Sequence, residues 1–244
     1  LLPKIDFIES ISEKLEAIII SHGHEDHSGA VAYFAEKINC PVYATGFARS
    51  LIENRLKEFG FLDKIKIITI ENDHDIKLKN FNLSFISTAH SIPEPHAILI
   101  KTKYGNLLHT ADWKIDFNPS IGEQIDHKQF EKIGNEGLLA LIGDSTNADV
   151  PGYSKSELEV REELIKIFSR YNKRIVITCF SSNIERMESI FIAAKKNNRK
   201  VALVGRSMKK TIAAAIENDI IDKDISFISE DEASLIPREN LVVI

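Results

Sequence analysis

Three of the chain's eight histidines and two carboxylates fall within six residues, His22-Gly23-His24-Glu25-Asp26-His27. A polar loop with unrelated histidines is the simpler explanation, but three of eight in one loop is improbable by chance. Residues i and i+2 of extended backbone point to the same side, so His22 and His24 can grip one ion. Asp26 and His27, at the start of a following helix, reach a neighbouring ion. Neutral imidazoles and carboxylates are ligands that zinc accepts. Gly23 reads as the tight bend of the loop, and Gly29 as the point where the helix packs close to the site. A two-ion centre needs donors from elsewhere. His90, in Thr88-Ala89-His90-Ser91, and Asp112, in Thr110-Ala111-Asp112-Trp113, each follow a strand-like run. Ligands at the ends of adjacent strands can converge, and Asp112 is suited to bridge both ions.

The elements that position these residues can be read from the apolar pattern. Residues 17–21 form a β-branched run that predicts a buried strand, and residues 28–37 predict a helix with Val31, Phe34, Ala35 and Ile38 on one face. A short strand at 41–43 precedes an amphipathic helix over 45–59, stopped by Gly60. Strands follow at 65–70, 83–88 and 97–102, with a turn at 104–106 leading into 107–110 as a hairpin. A weak helix at 128–133 and a strand at 138–142 complete this half. After Asp144 the rhythm changes. A helix begins near Ser156, where Ser156 and Glu159 have the spacing of a capping box. Strands at 175–180, 200–204, 225–228 and 241–244 then alternate with helices at 184–196 and 208–217, which predicts a parallel sheet with crossover helices. The fold class expected is α/β, mixed with hairpins in the first half and Rossmann-like in the second.

The charge is uneven. Residues 161–210 carry 13 Lys+Arg and 4 Glu, a local net of +9. Charge runs usually form solvated helix faces. Strand-to-helix junctions of a parallel sheet are nevertheless natural anion sites. Two occur here, at Ser182 and Asn183 and at Arg206 and Ser207, with Lys209 and Lys210 close by. These six residues are the candidates for phosphate or RNA contact. Four other histidines carry bland readings. His74 sits in a polar turn, His96 in a loop as a partner of ligands, His109 in a strand pointing away from the site, and His127 at a helix start. Trp113 reads as packing.

The whole chain has 244 residues, 43% of them hydrophobic, and a formal charge of −5. These values exclude a disordered chain and a disulfide scaffold, and no global basic excess marks a nucleic-acid binder. Cys40 and Cys179 form no framework, which fits a reducing, cytoplasmic compartment, and Cys179 reads as a buried thiol. No apolar stretch approaches the ~20 residues of a membrane-spanning helix.

The order His22-x-His24-x-Asp26-His27, then His90, then Asp112 resembles the metal motifs of the metallo-β-lactamase fold. His90-Ser91-Ile92-Pro93 and Gly143-Asp144-Ser145-Thr146-Asn147 are similar to those of its β-CASP nucleases, and most of all to the bacterial ribonuclease J family. The resemblance implies a partial metallo-β-lactamase αββα sandwich over 1–143, followed by a partial β-CASP domain over 144–244. It also implies two divalent ions, Zn2+ before Mn2+ or Mg2+. His22, His24 and His90 would hold one, Asp26 and His27 the other, and Asp112 would be shared. Asp26 and Asp144 are the expected catalytic carboxylates, Asp144 beside the metal ligands. The family places strands before the first motif and a further metal-binding histidine and phosphate-gripping motifs later on. Only 21 residues precede His22 and no histidine follows His127. The chain therefore reads as a fragment lacking both ends, weak or inactive by itself.

The activity implied is that of a metal-dependent ribonuclease, acting as 5′-to-3′ exonuclease and endonuclease in RNA decay and ribosomal RNA maturation. Its partner would be single-stranded RNA, with no membrane, and the full-length protein would be a homodimer or homotetramer. The alternatives are a hydrolase of a small thioester or lactam, against which the basic Rossmann-like half argues, and a catalytically silent RNA-processing subunit. The full set of six ligands argues against the latter.

Overall fold

The computed structural model describes residues 2–71 and 75–244, so His74 lies outside the described residues. In chain order the elements begin with α1 (Asp6–Ser10), β1 (Ile18–Ile19), α2 (Glu25–Ser28), β2 (Val42–Ala44), α3 (Gly46–Phe59) and β3 (Ile67–Thr69). Next come β4 (Ile76–Lys77), β5 (Asn82–Ser87), β6 (His96–Thr102), β7 (Gly105–His109), α4 (His127–Glu136) and β8 (Ala140–Ile142). The last are α5 (Glu157–Arg170), β9 (Ile175–Val176), α6 (Ile184–Lys196), β10 (Lys200–Ala202), α7 (Arg206–Glu217), α8 (Glu230–Ser234) and β11 (Leu241–Val243). By contacts the chain divides into two compact units. One comprises residues 1–90, 94–115 and 125–152, the other 91–93, 116–124 and 153–244. Among the described residues no helix is long and apolar enough to cross a membrane.

The first unit holds two sheets. β1, β2 and β3 pair in that order and all run parallel. Their apolar residues pack with Ala48, Ile52 and Leu56 of α3 and with Val31 and Ala35. Gly60 ends α3 at φ 73°, a left-handed conformation that favours glycine, and Phe61 N–H closes the last turn on Leu56 O. The second sheet has the order β4-β5-β6-β7-β8, antiparallel except for the parallel β7–β8 pair. A parallel pair needs a crossover, and α4 supplies it. Ile133 and Phe130 of α4 pack on Ile86, Ala97, Leu99 and Leu108. Trp113 stacks on Phe130 with ring centroids 6.1 Å apart, a packing role.

The second unit is a parallel sheet of order β10-β11-β9 with helices between the strands. Ile184, Met187, Ile190, Ala193 and Ala194 make α6 its most buried helix.

Several sequence expectations needed correction. Residues 29–34 form tight 3-10 turns after the short α2 rather than one helix over 28–37. The run 175–180 pairs only over β9, with Val176 and Phe180 exposed, and 225–228 makes a single bridge, Ala202 to Ile228, its buried Ile225 marking burial rather than strand pairing. α7 starts at Arg206, two residues earlier than expected. Ser156 caps α5 through Glu159 N–H, whereas the reciprocal capping box belongs to Ser229 and Glu232 at α8. Cys179 is half-buried, and burial raises its thiol pKa.

Candidate metal centre

The site is assembled from the ends of three strands of the first unit. Ser21 and His22 follow β1, His24 is the residue at which α2 begins, and Asp26 and His27 lie in its single turn. His90 follows β5 and Asp112 follows β7. Backbone contacts lock these loops together. His96 N–H donates to Ser21 O at 3.1 Å, and Lys114 N–H donates to Ala89 O at 2.7 Å, joining the loops that carry His90 and Asp112. Ser28 Oγ donates to Gly23 O and His24 O, at 3.2 and 2.9 Å, and so fixes the histidine loop onto α2.

Gly23 has a reason other than a tight bend. A Cβ there would meet Ala48 Cα of α3 at 3.3 Å and Leu51 Cδ1 at 3.1 Å, so the loop lies directly against α3. The atoms nearest a Cβ on Gly29 belong to the Glu25 side chain, so its closest constraint comes from within α2 rather than from the histidine loop.

The side chains converge. Nδ1 of His24 lies 3.1 Å from Nε2 of His22 and 3.1 Å from Nε2 of His90. Asp112 Oδ2 sits 3.8 Å from His90 Nε2 and 3.3 Å from His27 Nε2, and Asp26 Oδ2 is 3.6 Å from the same His27 nitrogen. His22, His24, His90 and Asp112 form one group with ligand atoms within 4.8 Å of one another. Asp26, His27 and Asp112 form a second group, with Asp112 common to both.

This donor set fits divalent ions. A tetrahedral ion with Zn–N bonds of about 2.0–2.1 Å spaces its nitrogens by roughly 3.3 Å, close to the two separations at His24. The imidazoles are also in the form that a metal needs. Burial, with help from the neighbouring rings, lowers the His22 pKa to about 2 and that of His24 to about 4, and burial lowers His90 as well. Ser21 Oγ lies 3.0 Å from His22 Nδ1. When it accepts from Nδ1–H, the Nε2 lone pair faces the other ligands.

Asp144 stands at the edge of this group. Its carboxylate accepts from Thr146 N–H at 2.9 Å and Thr146 Oγ at 2.7 Å, and these bonds lower its pKa, with His90 adding a smaller electrostatic contribution. Its own N–H donates to Thr110 Oγ at 3.0 Å, which ties it to the strand end that carries Asp112.

Three supporting features were missed in the sequence. Ala111, just before Asp112, has φ 52°, a left-handed conformation costly for alanine that turns the ligand loop. Thr110 bridges Ala111 O and Asp144 N–H. Glu94, also left-handed at φ 55°, accepts from Phe47 N–H at the start of α3 at 2.9 Å, where the N-cap Thr45 makes no side-chain cap. Of these only Glu94, between two prolines, carried any sequence signal. Among the described residues, the other histidines stay outside the group. His96 is the first residue of β6 rather than a loop residue, and its Nδ1 lies 2.9 Å from Glu94 O. His109 is in β7, half-buried, and His127 opens α4.

The six residues considered for phosphate contact belong to the second unit. Asn183 caps α6 by accepting from Arg186 N–H at 3.0 Å, with Ser182 next to it. Arg206 and Ser207 lie in the first turn of α7, and Ser207 O accepts from Thr211. Lys209 Nζ binds both Glu230 oxygens at 2.7 Å. Lys210 also has a partner. Other cations of the basic run are paired as well. Arg186 grips Glu157 at 2.8 and 3.1 Å, Arg161 pairs with Glu188, and Arg199 is buried on the carbonyls of Lys173 and Tyr171.

Comparison with known proteins agrees with this architecture. Residues 6–123 match the metallo-beta-lactamase superfamily and residues 172–244 the ribonuclease J beta-CASP domain. The chain thus belongs to the metallo-β-lactamase superfamily, in the branch that carries a β-CASP domain. Within that branch it is similar to ribonuclease J of Sinorhizobium meliloti, 41% identical over all of this chain and 43% of the relative. It is likewise similar to ribonuclease J 1 of Streptococcus pyogenes, 38% identical over 88% of this chain and 38% of the relative, and to ribonuclease J2 of Bacillus subtilis, 32% identical over all of this chain and 44% of the relative. The chain spans less than half the length of these curated relatives. A solved structure of a protein of unknown function from Enterococcus faecalis V583 shares the fold, with a TM-score of 0.64 at 18% identity over 93% of this chain and 58% of that one.

Proposed function

We propose that the protein carrying this chain is a metal-dependent ribonuclease acting on single-stranded RNA. The observation that carries this reading is the double group of His22, His24, His90 and Asp112 with Asp26, His27 and Asp112, in a chain similar over its length to ribonuclease J proteins. His22, His24 and His90 would hold one divalent ion, zinc being the one their chemistry suits best. Asp26 and His27 would hold a second, with Asp112 between. Such ions lower the pKa of water to roughly 7 and neutralise charge on a phosphodiester.

The protein's residues do the rest. The imidazoles stay neutral and so leave the positive charge of bound ions to be offset only in part, by Asp26 and Asp112, so that the site attracts phosphate. Asp26, with a side chain 79% exposed, is the carboxylate best placed to accept a proton from an attacking water and to orient it. Asp144, held ionised by Thr146, adds negative charge next to His90 and favours its role as a ligand.

The test is a side-by-side assay of full-length protein on a labelled single-stranded RNA and on a thioester, with and without added Zn2+ or Mn2+. Metal-dependent RNA cleavage with no thioester hydrolysis is expected. Asp26→Ala should lower cleavage by roughly 10³-fold, the several kcal/mol that metal-assisted charge stabilisation supplies. Cleavage that survives Asp26→Ala would place the chemistry elsewhere.

A further inference from the structure

The first unit has a second concave feature. At the tips of the hairpins β4–β5 and β6–β7, a groove of about 420 Å³ is lined by Lys77, Lys79, Lys101 and Lys103 together with Phe81 and Asn82. No carboxylate is among its described lining residues. The strand register makes the charges a row. Lys77 pairs with Asn82 and Asn82 with Lys101, so the three stand side by side across β4, β5 and β6 on one face. The turn is held in shape from behind. Glu16 accepts from Lys79 N–H at 2.5 Å and Asn80 N–H at 3.4 Å, and from the Asn80 side chain at 2.6 Å, so its carboxylate is engaged with the turn itself. Aromatic surface adjoins the lysines. Phe81 is 41% exposed and Tyr104 is 77% exposed, with Lys103 Nζ 4.9 Å from the Tyr104 ring centre.

We infer that this groove binds the backbone of single-stranded RNA as a surface separate from the metal centre, an inference that rests on the ribonuclease reading above. Four cations around an open groove suit a polyanion, and neighbouring exposed rings suit unstacked bases, the combination found in sequence-tolerant single-strand binders. Lysines on sheet edges also discourage strand pairing, but Lys101 and Lys103 lie on the inner β6 hairpin, where no edge needs protection. In the second unit Arg161, Lys166, Arg186 and Lys209 are engaged with carboxylates and Arg199 with carbonyls, whereas these four lysines border open space. β5 runs from Asn82 at the groove to Ser87, three residues before His90. Five steps of roughly 3.4 Å put the groove about 17 Å along β5 from Ser87, the strand end that leads to His90 and the metal centre. Only an RNA of several nucleotides reaches both.

The experiment uses full-length protein carrying Lys77→Gln, Lys79→Gln, Lys101→Gln and Lys103→Gln together, and separately Tyr104→Ala. Binding of a 20-nucleotide oligo(U) is measured by fluorescence anisotropy in EDTA, over a salt series, beside hydrolysis of bis(p-nitrophenyl) phosphate. The four-lysine variant should bind the 20-mer at least tenfold more weakly, with a salt slope shallower by up to about 3, since each lost single-strand phosphate contact removes roughly 0.7. Binding of a 4-mer and hydrolysis of the small diester should be unchanged. Tyr104→Ala should weaken 20-mer binding severalfold without changing the slope.

Unaltered 20-mer affinity in the four-lysine variant overturns the inference, as does an equal loss for the 4-mer. Displacement of the RNA by polyglutamate as readily as by oligo(U) would assign the groove to acidic protein instead and overturns it too. Because binding is read in EDTA, failure of the ribonuclease reading appears separately, as absence of metal-dependent cleavage in the unmodified protein.

Discussion

At the carboxyl ends of β1, β5 and β7, polar side chains converge on one another. At the carboxyl ends of β9 and β10 they are taken by close neighbours. Both regions place polar residues where a strand gives way to a helix or loop, and by residue type both looked like sites. In the first, His24 Nδ1 faces two other imidazole nitrogens at 3.1 Å, and Asp112 is common to two groups of candidate ligands. In the second, Asn183 caps its own helix, Arg186 is clamped by Glu157, and Lys209 is held by Glu230. Residue type and helix position therefore mark a ligand site only where the side chains have not already satisfied one another. Buried polar groups seek partners, and where several imidazole nitrogens face one another beside shared carboxylates, an ion satisfies them together.

The comparison can be broken at its structural side first, where the largest effect is expected. Glu157 is 5% exposed and is held by Arg186. Arg186→Met leaves that carboxylate buried without its counter-charge, which should cost about 3 kcal/mol of stability in urea denaturation. The double variant Arg186→Met with Glu157→Leu should recover most of this. A cost under about 1 kcal/mol for Arg186→Met would mean that the pair does not organise this junction, and that Arg186 is available to a ligand after all.

The metal side can be sharpened through a residue that is not itself a ligand. Ser21 Oγ orients His22 by contact with Nδ1. Ser21→Ala should weaken Zn2+ affinity by roughly 10-fold or more, within the 10–100-fold range of such supporting bonds. Competition with a fluorescent chelator measures this, and an unchanged circular dichroism spectrum would show that the fold is intact. Unaltered affinity would reduce Ser21 to packing.

Much of the metal centre was legible because its first four candidates are contiguous. His22, His24, Asp26 and His27 share one loop, so spacing alone brings them together. His90 and Asp112 depend on where β5 and β7 end, and those ends were readable from apolar runs bounded by polar residues. The supporting backbone was not readable. The left-handed Ala111 results from the loop's tertiary ties, and the Glu94 contact with Phe47 spans residues 47 apart. The elements missed, α1, β4 and α8, have two to five residues each, too short for a periodic signal. The run 225–228 failed because Ile225 is buried without a neighbouring strand, and 175–180 because β-branched and aromatic residues such as Val176 and Phe180 stand exposed there and do not mark where pairing ends.

The smallest effect expected concerns the charges that the sequence made most conspicuous. Within residues 195–210 there are seven cations and no acid, so Lys209 and Lys210 looked like backbone contacts for RNA. Lys209 Nζ instead lies 2.7 Å from each oxygen of Glu230, whose pKa is lowered chiefly by that bond. A lysine already neutralised releases few counterions from RNA, because its own counter-charge must first be displaced. Lys209→Ala with Lys210→Ala should therefore change affinity for a 20-nucleotide oligo(U) by less than about twofold and the salt slope by less than about 0.7, the share of one phosphate contact. The four-lysine groove variant, measured in parallel, supplies the contrast. A tenfold loss on removing Lys209 and Lys210 would show that the Glu230 pair opens for RNA, and that satisfaction within the free protein does not exclude a side chain from ligand binding.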